Sequence, residues 1–366
     1  MKAFSPLGIR RARSITHRVR NVFLLILCLM SAASAADRFV GWQGCASSAC
    51  HGGGAGADQL SIWQKKDAHS RSQGILTSGR SQQIAEALGI GDAWKNAQCT
   101  VCHSPMQNVP ERLLAKDVKP NLGVACETCH GPAENWQRSH TRKDITHAQR
   151  IAMGMHDLDS TYQRANTCAG CHINLPAPLQ KAGHPELRFE LARQLIEMPP
   201  HWAGANPAGR EWLTSQAVLL RELCWQSERG TDNAARIAAL AWLLHETPLG
   251  AEHLPTDLAP QPLRKAADKL ARAASTASWN DARTRSQYQA LTQLVSQLGE
   301  EKTVAFRRAE VLVPALRAIA LAVGAPFSAK AKDPLDSLDL LVRIPLMFDA
   351  KKFAEAAAQL PVAGAQ

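Results

Sequence analysis

The sequence predicts a mainly α fold in two parts: a compact domain of short helices and long loops, then an α-helical C-terminal domain. Two observations predict it. Eight of the ten cysteines fall between Cys45 and Cys171, in segments rich in Gly and Pro with few long apolar runs. Beyond residue 204, by contrast, Ala and Leu dominate and apolar residues recur at helical spacing. A length of 366 residues accommodates two such domains.

The first 35 residues stand apart. Lys2, Arg10, Arg11, Arg13, Arg18 and Arg20 precede an apolar run, Val22 to Met30, and then a small-residue stretch through Ala35. This is the pattern of a secretory signal cut near Ala35, implying a periplasmic protein. The alternative is an uncleaved anchor, although the run is short for a spanning helix. Cys28 lies within it and lacks the small preceding residue of a lipoprotein site. The formal charge of +10 depends on this segment. Without it, 36 Lys+Arg face 32 Asp+Glu, which is no nucleic-acid charge balance.

From 36 to 203 the cysteines carry the chemistry. Cys99-Thr100-Val101-Cys102-His103, Cys126-Glu127-Thr128-Cys129-His130 and Cys168-Ala169-Gly170-Cys171-His172 are each CxxCH, the signature of c-type haem attachment. Two thiols add to the vinyl groups of one porphyrin, and the following histidine lies under the iron. Cys45 and Cys50 with His51 have a four-residue spacer that can still close on a porphyrin. The expected cofactors are therefore four covalently attached haem c groups. The competing readings are structural zinc for the set and a Cys45–Cys50 disulfide. Cys224, alone in an apolar helical stretch, reads as a buried small hydrophobe.

Eight further histidines outside residues 1–35 have no cysteine partner. His69 ends an amphipathic run, Gln59 to His69, that follows a glycine loop, Gly52 to Gly56. That loop is expected to let the backbone approach a flat cofactor. His184 enters an expected helix, Pro185–Ile196. His140 ends a helix expected to start at Pro132. Ten helical residues span about 15 Å, so His140 points toward a haem other than the one held by His130. These three are the expected distal ligands; His147 and His156 compete for a fourth. His201 reads as structural and His245 and His253 as ordinary. Met106, Met153 and Met155 read as packing residues, with thioether ligation as the alternative.

Val40-Gly41, the Cys45–His51 motif, Trp63, Asp67 to Ser70, Gly123 to Ala125 and Cys129 to His140 resemble the cytochrome c-554 family of multihaem cytochromes. Gly183 to Leu187, Phe189 to Leu191 and Pro199 to Trp202 resemble its later landmarks, so the likeness covers residues 38–202. It implies a helical tetrahaem fold with closely stacked haems, and axial histidines at His69, His140 and His184. In the well-known branch three haems have two histidines each and one is five-coordinate. The four-residue spacer departs from the two residues of many members.

Residues 204–366 are expected to form a helical bundle over Trp212–Trp225, Ala234–Leu244, Leu263–Ala274, Tyr288–Leu298 and Ala305–Ala322, capped at Thr231 to Asn233 and broken at Pro255 to Pro262. Nothing there carries recognisable chemistry. Two functions compete. One is electron transfer between unknown redox partners, with possible association with a membrane quinol-oxidising system. The other is an enzyme acting on a small nitrogen or sulfur species at an open iron.

Overall fold

The computed structural model describes residues 37–363 apart from 121, 188, 203–207 and 258. The expected signal segment and the expected boundary near 203 lie outside the described residues. The described chain is helical, and its sole bridge is a parallel one between Phe39 and Leu114.

The first part contains short elements: α1 (Gln59–Lys66), α2 (Ser72–Ile75), α3 (Gly79–Leu88), α4 (Ala97–His103), α5 (Cys126–His130), α6 (His147–Ala152), α7 (Thr161–His172), α8 (Ala177–Lys181) and α9 (Leu191–Glu197). Local chemistry sets their ends. The Ser78 hydroxyl accepts from Ser81 N at the start of α3, and Gly89 at φ 64° ends it. Thr146 and Gln149 form a capping box on α6. The Asn96 side chain caps α4, and Ser160 caps α7. Second and fourth cysteine motifs are thus the C-terminal ends of capped helices.

Two expected helices are not formed as drawn. After Pro132 the chain makes turns, and a 3₁₀ segment spans only Ser139–Thr141. In this turn the buried Glu127 carboxylate accepts from Ala133 N (2.8 Å). The helix expected at Pro185 begins only at Leu191, where the Glu190 carboxylate accepts from Ala192 N and Arg193 N as its N-cap.

The second part is a helical array: α10 (Ala208–Ser227), α11 (Ala234–His245), α12 (Pro248–His253), α13 (Pro260–Thr276), α14 (Asp281–Gln293), α15 (Lys302–Val323), α16 (Ala325–Leu341) and α17 (Ala350–Ala357). All five expected segments are present, Tyr288–Leu298 being divided between α14 and a 3₁₀ turn. The expected cap before α11 is supplied by Asp232, which accepts from Ala234 N. α12, α16 and α17 were not expected. The proline break is shorter than expected because Pro260 and Pro262 sit in the first turn of α13, where a missing N–H costs nothing.

One apolar core runs through this array and includes Ala165 and Ala169 from α7 and Ile173 just after it, together with Leu191 and Leu195. α7 packs against α10 and α13. Polar contacts reinforce that seam. Thr161 donates to Glu211 (3.1 Å), which also pairs with Arg164. Tyr162 donates to Asp268 (2.7 Å), which takes a second bond from Arg221 (2.8 Å). The cysteine-rich part has a far smaller core of its own, Leu76, Ala85, Ala93 and Cys99.

Candidate functional site

Each motif histidine faces a second histidine. His51 lies 6.1 Å from His140 between ring centroids, His69 lies 6.0 Å from His172, His103 lies 6.3 Å from His184, and His130 lies 6.5 Å from His201. Metal–nitrogen bonds of about 2 Å, with each ring nitrogen about 1 Å from its centroid, place the centroids of trans imidazoles roughly 6 Å apart. All four pairs meet that separation. Their planes differ, from near-parallel in His51–His140 (13°) to steeply crossed in His69–His172 (79°).

Hydrogen bonds orient five of these rings. Nδ1 of His51 donates to Gln59 Oε1 (3.1 Å), that of His69 to Asp67 Oδ1 (2.9 Å), and that of His103 to Ser72 O (3.3 Å). Nδ1 of His140 donates to Gln137 O (2.5 Å) and that of His184 to Pro185 O (2.8 Å). Committing Nδ1 leaves Nε2 as the ligating atom, the usual arrangement around a metal-bound imidazole. Burial pushes the Asp67 carboxyl up, but hydrogen bonds from His69 outweigh it and keep it below its usual range. Burial, with the neighbouring His201, His51, His156 and His140, pushes His130 down to about 4. That favours the neutral, ligating ring.

The scaffold of the first motif explains its glycines. Its spacer turns back on itself, with Cys50 N donating to Ser47 O (2.8 Å) and Gly52 N to the same oxygen (3.0 Å). A Cβ on Gly52 would sit 2.1 Å from Ala46 O, and one on Gly53 would sit 2.4 Å from Ser48 O. The close approach that Gly52 and Gly53 permit is to the spacer's own carbonyls. Gly123 serves His69 similarly: its Cβ would lie 2.2 Å from His69 O, which accepts from Val124 N (2.9 Å).

The third motif is the hub. Glu127 also accepts from Val40 N (2.9 Å) and Gly41 N (2.7 Å), fastening the start of the described chain to the spacer. The Cys126 thiol lies within hydrogen-bonding reach of Cys45, as Cys102 does of Cys171, so first and third motifs adjoin and second and fourth adjoin.

Cys45, Cys50, Cys99, Cys102, Cys126, Cys129, Cys168 and Cys171 are all free, which leaves the Cys45–Cys50 disulfide unformed. The zinc reading also fails. Among the described residues, the one group of three or more His, Cys, Asp or Glu with converging ligand atoms is His147, Asp157 and Asp159, which contains no motif residue. Haem c fits better on this donor set.

Three histidine expectations change. His201, expected to be structural, is the ring opposite His130. His147 is exposed and pairs with Asp157 (3.0 Å). His156 braces the third motif, its backbone N donating to His130 O and its Nδ1 to Cys129 O, both 2.9 Å. The local sequence around His201 gives no sign of its partner 71 positions away. Counting could have found it, since four motif histidines call for four counterparts. Met106 is buried, and Met153 accepts from Ser139, so both have packing roles.

Residues 45–131 match the family described as cytochrome c554 and c-prime. This stretch is a cytochrome c554 family segment. It spans the first three motifs and ends at Gly131, just after His130. Over these residues the chain is similar to c-type cytochromes, a likeness that implies covalently bound haem c. The fourth motif and His140, His184 and His201 lie beyond the matched residues. No curated protein and no solved structure matches the chain.

Proposed function

We propose that the protein is an exported tetrahaem cytochrome that carries electrons between periplasmic redox partners, each haem iron being held by two histidines. The supporting observation is the set of four histidine pairs at 6.0–6.5 Å. Haem c supplies a one-electron ferric–ferrous couple when bound. The chain supplies the rest. Cys45/Cys50, Cys99/Cys102, Cys126/Cys129 and Cys168/Cys171 form the thioether links, and the rings of His51, His103, His130 and His172 are proximal. His140, His184, His201 and His69 are their respective distal partners.

Two histidines per iron leave no open position for a substrate, which favours a carrier over an enzyme. The adjoining motif pairs, first with third and second with fourth, favour short transfer distances. Export is supported by the basic, apolar and small-residue succession of residues 1–35.

Pyridine haemochrome assay and EPR of the ferric holoprotein test this reading. The expected result is four haems per chain, all low-spin and unperturbed by cyanide or nitric oxide. His201→Ala should convert one haem in four to a high-spin, cyanide-binding form. A high-spin haem in the unmodified protein would overturn the carrier reading. An unchanged spectrum in the variant would remove His201 from the ligand set.

A further inference from the structure

Of the five oriented rings, four donate Nδ1 to a neutral oxygen: the Gln59 amide, or the backbone carbonyls of Ser72, Gln137 and Pro185. His69 differs, because its acceptor is a carboxylate, Oδ1 of Asp67 (2.9 Å). That oxygen also accepts from His69 N (2.9 Å). Asp67 is 4% exposed, and among the described residues no Lys or Arg pairs with it. A carboxylate taken out of water is paired or hydrogen-bonded. Here the group that answers it is His69, whose Nε2 is left for a metal.

The contact is held from both sides. Asp67 ends α1, its N donating to Ile62 O (3.2 Å), and Ser70 Oγ donates to Asp67 O (2.8 Å). His69 O accepts from Val124 N (2.9 Å) and from Ser72 Oγ (2.8 Å). Trp63 Nε1, from the middle of α1, donates to Val124 O (2.9 Å). The backbone just before Cys126 therefore locks both Asp67 and His69 in place.

Two effects then act in the same direction. Donating Nδ1–H to an anion makes imidazole a stronger base at Nε2, which favours ferric over ferrous iron. The buried negative charge also stabilises the more positive iron state, weakly screened by its surroundings. We propose that Asp67 sets the reduction potential of the haem between His69 and His172, holding it below the value a neutral partner would give. This rests on the histidine ligation proposed above. Asp67 is a positioning residue that acts through His69. Its charge also reaches His201 and the Cys129 thiol, so a smaller effect is expected at the haem between His130 and His201.

An EPR-monitored redox titration of the holoprotein tests it. His69→Ala identifies the signal, since one low-spin haem should become high-spin. Asp67→Asn keeps an oxygen acceptor for His69 Nδ1 and removes the charge. In that variant the identified haem should stay low-spin. Its reduction should become at least tenfold more favourable, about 59 mV for one electron, with a smaller shift at one other haem and none at the remaining two. An unchanged potential, or an equal shift of all four haems, overturns the proposal. If Asp67→Asn does not mature, the unmodified protein decides. There the identified haem should reduce at a lower potential than the one between His103 and His184, located through His184→Ala, and the reverse order overturns the proposal. If His69→Ala leaves every haem low-spin, the ligand assignment itself falls, and the role of Asp67 falls with it.

Discussion

The two parts of this molecule are held together by different materials. From α10 onward the helices bury a continuous apolar set, including Trp212, Leu220, Leu240, Leu263, Leu270, Leu316 and Phe353, each almost wholly out of water. Between residues 37 and 160 the buried apolar set is short, little more than Leu76, Ile84, Ala85, Ala93, Met106, Ala133 and Trp136. Cysteine motifs, capped short helices and side chains tied to distant backbone replace it. The difference teaches that covalent cofactors can stand where a core would otherwise be. The chain there is shaped to surround something, while the chain after residue 208 is shaped to pack on itself.

The largest expected effect comes from removing an attachment. Cys126→Ala/Cys129→Ala should lose one haem per chain by pyridine haemochrome and make the first part protease-sensitive, leaving the second part protected. Unchanged protease resistance would break the comparison. Next is the seam between the parts. Glu211 is fully buried and shares one oxygen between Thr161 and Arg164. Glu211→Ala strands the Arg164 guanidinium and should cost about 3–5 kcal/mol in thermal unfolding. Replacing both partners with Leu and Met should recover most of that.

The smallest is Asp268→Asn. Burial pushes the Asp268 carboxyl up, but bonds from Tyr162, Arg221 and Arg272 outweigh it and hold it at about 2. A carboxyl lowered by folding adds stability above its unfolded value of 3.8 and loses it as pH falls through 3.8 toward 2. The side chain is 30% exposed, so the loss near neutral pH should be only about 1–2 kcal/mol. The variant's stability should be flatter across the acid window. Equal acid dependence in both proteins would show that the network adds nothing to the seam.

What the sequence disclosed follows the same division. Helical periodicity placed all five expected segments of the second part, because packing against other helices is a local, repeated demand. It passed over α12, which is six residues long, and α16, which contains Pro326 and Pro334. In the first part the motif spacing is what points to the attachment thiols, since vinyl geometry acts over four to six residues. The distal rings were harder. His140 was expected to reach another motif by way of a helix. It does face His51, but turns and a short 3₁₀ segment carry it there. His201 escaped notice because its partner is fixed only by the tertiary path of the chain.

α7 belongs to both parts at once. Its last turn carries Cys168, Cys171 and His172, while Ala165 and Ala169 are wholly or almost wholly buried in the core of the helical array. Modularity is the casualty. Cutting the gene near residue 203 to obtain a minimal redox wire would strip the cover from Leu191 and Leu195 and leave Arg164 and Asn174 without Glu211 and Glu222. A circuit builder who wants these four motifs has to take the whole chain, and fusions belong at its C-terminal end.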